Sequence, residues 1–196
     1  MIAPALLIIT GHPATGKTTL ANLLAAELSL PLLSKDVLKE TLFDSLGWCD
    51  RAWSRQVGVA AITQLYRLAD SLLFARRPFV IESNFRADLD TPRMQALAAS
   101  HSFRPVQIRC VAAGDVLVAR IRHRIASGQR HPGHCDELGA ADLEIVRRRS
   151  DIQPLPIGGA LLTIDTTDPA CIDYPAVLAW ARAQLAAAAD SDPPSS

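Results

Sequence analysis

Four short runs of apolar residues along the chain are nearly continuous rather than alternating with polar residues. They are ALLIIT at 5–10, PFVIES at 78–83, PVQIRCV at 105–111 and ALLTID at 160–165. Strands that are covered on both faces have this pattern, because neither face meets water. The runs therefore predict strands of a parallel sheet, and the shorter run at 31–33 predicts a fifth strand.

Stretches with the pattern of amphipathic helices separate these runs. Alternation of strand and helix favours right-handed crossovers, which return each strand parallel to the one before it. We expect an α/β fold in which a doubly wound parallel sheet of about five strands carries helices on both faces. The predicted helices cover residues 17–28, 36–46, 53–75, 91–99, 115–126, 136–149 and 175–189.

Length and charge limit the classes of protein that fit. The chain has 196 residues, 49% of them hydrophobic, with 20 basic and 20 acidic side chains. This length fits one domain, which we expect over 1–189, and the tail DSDPPSS at 190–196 has no apolar residue and is expected to be disordered. A net charge of zero excludes general polyanion binding driven by net charge.

The cysteines and the longest apolar runs predict a cytoplasmic location. The four cysteines are far apart, with no C-x-x-C pair, so we expect reduced thiols. The N-terminal MIAPALLIIT lacks the basic region and cleavage site of a secretory signal. No apolar run reaches the length of about 18 residues that a membrane helix needs, so no membrane association is expected.

A loop with the pattern G-x-x-x-x-G-K-[ST] directly follows the first predicted strand and precedes a predicted helix. It reads GHPATGKT at 11–18. Its glycines allow a sharp turn in which successive N–H groups point at one anion. Lys17 is expected at the β- and γ-phosphates and the Thr18 hydroxyl at Mg²⁺. The predicted nucleoside triphosphate site contains Gly11, His12, Pro13, Ala14, Thr15, Gly16, Lys17, Thr18 and Thr19.

The loop alone does not decide the reaction, because switches, motors and kinases share it. The chain has no N-K-x-D sequence, which GTPases use to recognise guanine, so ATP is the expected nucleotide. Thr166 in DTTDP at 165–169 follows the last predicted strand at the edge of the sheet, and it is a candidate contact for the adenine and ribose of the nucleotide. The same polar residues are equally typical of a simple turn.

Residues 11–39 resemble the small P-loop kinases of the AAA_33 type. That group includes chloramphenicol phosphotransferase and the kinase domain of polynucleotide 5′-hydroxyl kinases. In the group, the phosphate loop is followed further along by an Asp in the pattern S-[KR]-D-x-x-[KR], and this chain has SKDVLK at 34–39. The resemblance implies that Asp36 orients and deprotonates the hydroxyl that accepts the phosphate.

Lys39 stands where the polynucleotide kinases have Arg. One helical turn after Asp36, it would share a face with that carboxylate and keep it ionised, which makes both residues candidate substrate-binding groups. The alternative is that Asp36 only caps the helix and that Lys39 is solvated.

An acidic residue and two polar residues follow the strand predicted at 78–83. Glu82 ends the strand beside the phosphate loop, where an acid holds Mg²⁺, usually through water, and many members of the family have Asp there. Asn84 and Arg86 follow on a loop over the same crevice. They are candidate substrate contacts, with a solvated loop as the alternative.

The segment 116–135 has no acidic residue but has four arginines and three histidines. Arg120 and Arg124 share one face of the predicted helix. The family has an Arg-bearing helix followed by R-H-P-G-H, which closes over ATP, and this chain has RHPGH at 130–134. The resemblance implies an Arg-rich lid at about 115–135, in which Arg120, Arg124 and Arg130 stabilise the transferred phosphoryl group.

Three other interpretations of this segment remain open. The helix is a solvated basic surface in the first, with Arg122 the clearest example. The second is a nucleic-acid patch extended by 147–149, although the segment has no aromatic residue for stacking on bases. The third is zinc binding, for which His131, His134 and Cys135 supply three ligands without an evident fourth.

Two classes of function agree with these patterns. One is a kinase that transfers the γ-phosphate of ATP to a hydroxyl of a small molecule such as a metabolite, nucleoside or antibiotic, or to a nucleic-acid 5′ end. The other is an ATP-hydrolysing switch that a protein partner recognises. The kinase is favoured, because the chain has candidates for both an acceptor-side base and a lid.

Overall fold

Five parallel strands form one sheet in the order β2-β3-β1-β4-β5. The computed structural model describes residues 3–128, 130–135, 139–148 and 152–187, so the tail predicted at 190–196 lies outside the described residues. All five predicted strands are present, and the predicted α/β fold is confirmed. The strands are β1 (Ala5–Gly11), β2 (Leu32–Ser34), β3 (Phe79–Glu82), β4 (Arg104–Val111) and β5 (Ala160–Asp165).

Helices connect the strands, in the positions expected from the sequence. The predicted helix at 91–99 begins earlier, at Ala87, because the Asp90 carboxylate accepts a hydrogen bond from the Arg86 N–H at 2.7 Å and stabilises the first turn. Residues 136–138 and 149 of the helix predicted at 136–149 lie outside the described residues. The helices are α1 (Lys17–Leu28), α2 (Lys35–Leu46), α3 (Arg51–Phe74), α4 (Ala87–Ser100), α5 (Gly114–Ala126), α6 (Ala140–Arg148) and α7 (Tyr174–Ala186).

Strand β1 lies at the centre of the core, and all of its residues are buried. Leu7 and Ile9 point to one face of the sheet, where they pack with Leu24 of α1. Leu6 and Ile8 point to the other face, towards α3 and α4. Because successive side chains of a strand point to opposite faces, burial of both faces explains the continuous apolar run.

Helix α3 is the one helix in the described part of the chain that is long and apolar enough to cross a membrane. In the fold, Leu65, Ala69 and Leu73 form a buried stripe that packs in the cluster containing Leu6 and Ile81. Only 28% of its most apolar window is buried. This one-sided burial is that of an amphipathic helix on the face of a sheet.

The sheet brings the ends of its first three strands together. Ser34 at the end of β2 lies beside Glu82 at the end of β3, and Glu82 lies beside Ile9 near the end of β1. The chain leaves β1 for the outer strand β2 and returns later to β4 on the other side. Ligands of open α/β sheets bind in the crevice at such a switch point.

Because the core is packed on both faces of the sheet, replacing a buried leucine by alanine should cost much more stability than replacing an exposed one. Leu24 is fully buried, whereas Leu46 at the end of α2 is 63% exposed. Leu24→Ala should lower the free energy of unfolding by about 2–5 kcal/mol, because it removes core contacts and leaves a cavity. The matched control Leu46→Ala should change it by less than about 1 kcal/mol. Urea unfolding followed by circular dichroism measures both, and equal losses would contradict this description of the core.

Candidate active site

The loop between β1 and α1 is strained and tightly packed. Gly16 has φ 78° and Ala14 has φ 68°, and both values lie in the left-handed region. A Cβ atom on Gly11 would lie 2.6 Å from the Thr15 hydroxyl, which itself donates to the His12 carbonyl at 2.8 Å. A non-glycine residue such as Ala14 in this conformation is typical of functional loops. The loop thus has the close turn that an anion-binding site requires.

Lys17 begins helix α1 with its ammonium group inside the site. It is 8% exposed, with Nζ 3.4 Å from the His12 carbonyl oxygen and 3.8 Å from Glu82 Oε1. Burial lowers the pKa of Lys17, and the neighbouring carboxylates of Glu82 and Asp36 oppose that change. An ammonium group in this position is stabilised by nearby negative charge, and a polyphosphate supplies more of it.

Glu82 lies beneath Lys17 and is 2% exposed. Its Oε2 accepts a hydrogen bond from the Ser34 hydroxyl at 2.7 Å. The exposed Thr18 and the carboxylate of Asp36 both face the main cleft. Hydroxyl and carboxylate oxygens are the ligands that Mg²⁺ prefers, so the side chains of Thr18 and Glu82 have the chemistry that a magnesium site requires.

Asp36 lies in the first turn of α2 and faces the cleft. The N-cap residue of α2 is Ser34, so the alternative in which Asp36 caps the helix is wrong. Burial alone would raise the pKa of Asp36, but Lys35, Arg130 and Lys17 together lower it to about 2. Lys35 Nζ is 3.4 Å from Oδ1 and Arg130 Nη1 is 3.6 Å from Oδ2. Asp36 is therefore ionised and available to accept a hydrogen bond.

Lys39 is buried, so the alternative in which it is solvated is also wrong. Its ammonium group donates to the Ser54 hydroxyl of α3 at 2.9 Å and lies 5.2 Å from the centroid of the Phe43 ring. These contacts join α2 to α3.

The strongest of the cations that lower the pKa of Asp36 are Lys35 and Arg130. Lys35 lines the cleft and escaped the sequence analysis, although it is the basic residue of the S-[KR]-D pattern.

Arg120 connects the phosphate loop to the loop after β5. Its guanidinium donates to the carbonyl oxygens of Ala14, Thr166 and Thr167 at 3.3, 2.7 and 3.2 Å. The Thr166 hydroxyl in turn donates to the Thr15 carbonyl at 2.8 Å. The Asp165 carboxylate accepts from the Thr167 N–H at 2.8 Å, so this segment also forms the turn that its polar residues predict.

Most of the predicted residues surround a cleft of about 570 Å³, whereas His12 and Arg86 line a second cleft and Thr15 and Thr166 a third. The phosphate loop lines one side of the main cleft, and Asp36, Asn84 and the three arginines of the predicted lid line the others. Arg122 is exposed and does not line this cleft. His123 does line it and was not among the predicted site residues. The cleft residues include Lys17, Thr18, Thr19, Asp36, Asn84, Arg120, Arg124 and Arg130.

Two further clefts adjoin the main one. A cleft of about 220 Å³ lies between the phosphate loop and the loop after β5, bordered by Thr19, Arg120 and Tyr174. A wider cleft of about 690 Å³ shares Asn84, Arg124 and Arg130 with the main cleft and has an aliphatic wall formed by Ile121, Ile145, Val146 and Ile152. Arg86 lines this wider cleft rather than the main one, and its guanidinium pairs with Asp88 at 2.6 Å.

Comparisons with known proteins agree with this geometry. The family model AAA_33, an AAA domain, matches residues 6–141. The crystal structure of a "putative kinase" from Chloroflexus aurantiacus J-10-fl is 61% identical, with a TM-score of 0.91 over 93% of this chain and 99% of that one. No curated protein matches the chain.

More distant structures share the fold. An APS kinase from Mycobacterium tuberculosis, in complex with AMPPNP and APS, has a TM-score of 0.59 at 15% identity over 95% of this chain and 99% of that one. An unliganded sugar kinase from Janibacter sp. HTCC2649 has a TM-score of 0.56 at 14% identity over 95% and 96% of the two chains. With its phosphate loop, its sheet order and the family match, this chain belongs to the AAA_33 family and is a small P-loop kinase in fold.

Proposed function

We propose that this protein is a kinase that transfers the γ-phosphate of Mg·ATP to a hydroxyl group of a small molecule. One observation carries the proposal: the ionised carboxylate of Asp36 faces the same cleft as the phosphate loop, Lys17 and three arginines. A nucleotide switch needs the phosphate loop, but it has no need of a carboxylate placed to receive an acceptor hydroxyl. A kinase needs both.

The clefts suggest where each part of the nucleotide binds. The triphosphate lies along the loop amides and the N-terminus of α1, next to Lys17. The adenosine extends into the smaller cleft beside Arg120 and Tyr174. The APS kinase that shares the fold was solved with AMPPNP, which agrees with ATP as the nucleotide here.

Phosphoryl transfer depends on positioning and on charge stabilisation more than on covalent chemistry by the protein. Lys17, Arg124 and Arg130 neutralise charge on the γ-phosphate, and a magnesium ion held through Thr18 and Glu82 would neutralise charge between the β- and γ-phosphates. Asp36 accepts the hydrogen bond of the attacking hydroxyl. Because Lys35, Arg130 and Lys17 hold the pKa of Asp36 well below its usual range, the carboxylate is ionised and able to receive the proton of that hydroxyl.

The acceptor enters through the wider cleft. That cleft meets the main one at Asn84, Arg124 and Arg130, so a hydroxyl at the junction lies between Asp36 and the end of the triphosphate. Asn84 is exposed there and is able to hydrogen bond to the acceptor, whereas Arg86 lies further out.

The test is production of ADP from Mg·ATP with and without pools of hydroxyl compounds, including sugars, nucleosides, antibiotics and oligonucleotide 5′ ends. A kinase should show strong stimulation by at least one pool, and fractionation then identifies the acceptor. Turnover that no acceptor stimulates but a protein partner does would instead support the ATP-hydrolysing switch.

Replacement of Lys17 and of Asp36 should separate nucleotide binding from transfer. Lys17→Ala should abolish tight binding of Mg·ATP, because the triphosphate loses its buried counter-charge. Asp36→Asn should leave ATP affinity nearly unchanged but slow acceptor-dependent transfer by ~10²-fold or more, because the amide accepts no proton. Calorimetry and coupled ADP assays measure the two effects. The matched control is Glu27→Gln, which neutralises an exposed carboxylate at the far end of α1 and should transfer at the normal rate; full activity in Asp36→Asn would remove its proposed role.

Replacing the arginines of α5 by alanine should have different effects on ATP binding and on turnover. Arg120→Ala removes donors to three carbonyl groups around the nucleoside cleft, so it should weaken ATP binding by about tenfold and lower the melting temperature. Arg124→Ala should mainly lower turnover at saturating ATP, because its charge acts on the transition state. The exposed Arg122 is the control, and Arg122→Ala should change neither quantity. The same profile for Arg120→Ala and Arg124→Ala would contradict this division.

A further inference from the structure

The segment RHPGH at 130–134 is clamped onto helix α2. A Cβ atom on Gly133 would lie 2.6 Å from the ring of the fully buried Phe43, so the backbone approaches this ring closely. The His131 ring stacks on Phe43 with centroids 5.2 Å apart, and its Nε2 lies 3.1 Å from Asp44 Oδ1. Together these contacts give the segment a defined position beside the cleft.

His134 is the most enclosed side chain of this segment, with 3% of it exposed. Its carbonyl accepts from the Ser54 hydroxyl at 3.2 Å. Its Nδ1 lies 3.0 Å from Arg130 Nη2 and its Nε2 lies 2.8 Å from Glu40 Oε1. A guanidinium only donates hydrogen bonds, so Nδ1 is the acceptor and Nε2 carries the proton that is donated to Glu40. This pattern assigns His134 as a neutral imidazole in one tautomer.

Burial, helped by neighbouring positive charges, keeps this imidazole neutral. Burial is the main cause that lowers the pKa of His134, and Arg130, Lys39 and Lys35 lower it further, while Asp36 opposes them; the resulting pKa is about 3. On the other side of the ring, burial and the charge of Asp36 raise the pKa of Glu40. Protonation of His134 would remove the lone pair that Arg130 uses.

Arg130 lies between His134 and the cleft. One end of its guanidinium contacts His134, and the other lies 3.6 Å from Asp36 Oδ2. A long arginine side chain has several accessible rotamers, and a partner on the side away from the reaction reduces that freedom before substrate binds. The carboxylate attracts the guanidinium, and the imidazole sets its orientation.

We propose that His134 is a positioning residue that holds the Arg130 guanidinium at the γ-phosphate end of the cleft, with Glu40 fixing the tautomer. This inference rests on the proposed kinase function, and it adds a second layer of residues to that site. The role of His134 is to accept one hydrogen bond from Arg130, and it does not contact the reacting atoms.

Two variants of His134 separate the effect of filling the buried space from the effect of the nitrogen that accepts a hydrogen bond. His134→Phe keeps an aromatic ring in the buried space but accepts no hydrogen bond. His134→Asn places an amide oxygen near the position of Nδ1 and loses the donor to Glu40. Binding of Mg·AMPPNP and of Mg·ADP by calorimetry reports on contact with the γ-phosphate without an acceptor. Ser45→Ala is the control, because it changes an exposed side chain on helix α2 that makes no part of this clamp as described above.

The wild-type protein should bind AMPPNP more tightly than ADP, and His134→Phe should lower the ratio of the two affinities about tenfold. His134→Asn should retain most of this preference, and Ser45→Ala should retain all of it. Arg130→Ala should lose as much as His134→Phe, and the double variant should lose little more, because both changes remove one interaction.

Several results would overturn the proposal. A lower melting temperature of His134→Phe with an intact preference for AMPPNP would mean a purely structural role. Additive losses in the double variant, or equal wild-type affinities for the two nucleotides, would also contradict it. Failure of the kinase proposal gives a different result, namely AMPPNP binding without acceptor-stimulated turnover. In that case the calorimetric comparison of the variants still decides the role of His134.

NMR of ¹⁵N-labelled histidine tests the protonation state directly. Nδ1 of His134 should give the signal of a nitrogen without a proton, unchanged as the pH falls from about 8 to about 5. Because the unfolded imidazole protonates near pH 6.5 and the folded one does not, the unfolding free energy should fall as the pH drops below about 6.5, and less so in His134→Asn. Titration of this ring near its ordinary pKa would contradict the assigned tautomer.

Discussion

The structure depends on pairing a buried ammonium group with a buried carboxylate at the end of the sheet. Lys17 and Glu82 are both almost completely enclosed, 3.8 Å apart, and the Ser34 hydroxyl completes the hydrogen bonding of Glu82. Isolated charges in such a place would be very costly. The parallel register of β1, β2 and β3 brings the three residues together, so the geometry of the sheet and the electrostatics of the site are inseparable.

Helix α2 is the second organising element. Its first turn presents Asp36 to the cleft, and the following turns provide Glu40, Phe43 and Asp44 for the segment that carries Arg130. Lys39 ties the same helix to Ser54 of α3. A shift of α2 would therefore move the proposed base and the proposed charge-stabilising arginine together. Such common support keeps the parts of a site in fixed relative positions.

The sequence predicts this fold well because the strands and the phosphate loop each leave a pattern in neighbouring residues of the chain. The strands were recognisable because burial on both faces makes them continuously apolar, and the phosphate loop because its turn needs glycine. The predicted start of α4 is too late, because the contact that stabilises its first turn, from the Arg86 N–H to the Asp90 carboxylate, depends on side-chain geometry. Predictions of single functional roles remain predictions, to be tested by the variants above.

The contacts that escaped the sequence analysis join residues far apart in the chain. The partners His134 and Glu40 are separated by 94 positions, and Arg120 and Ala14 by 106. No periodic pattern in the sequence indicates such pairs, because they depend on the order of the strands in the sheet and on how the helices cross it. The basic segment 116–135 therefore predicted positive charge near the nucleotide, but not which arginine holds the loops together and which is directed by a histidine.

The most direct test of the account is a crystal structure of the protein with AMPPNP and Mg²⁺. The loop at 11–18 should cradle the phosphates, with the γ-phosphate beside Lys17 and Arg130 and the Asp36 carboxylate facing the side from which an acceptor approaches. A nucleotide bound elsewhere, or a γ-phosphate with Asp36 directed away from it, would contradict the account.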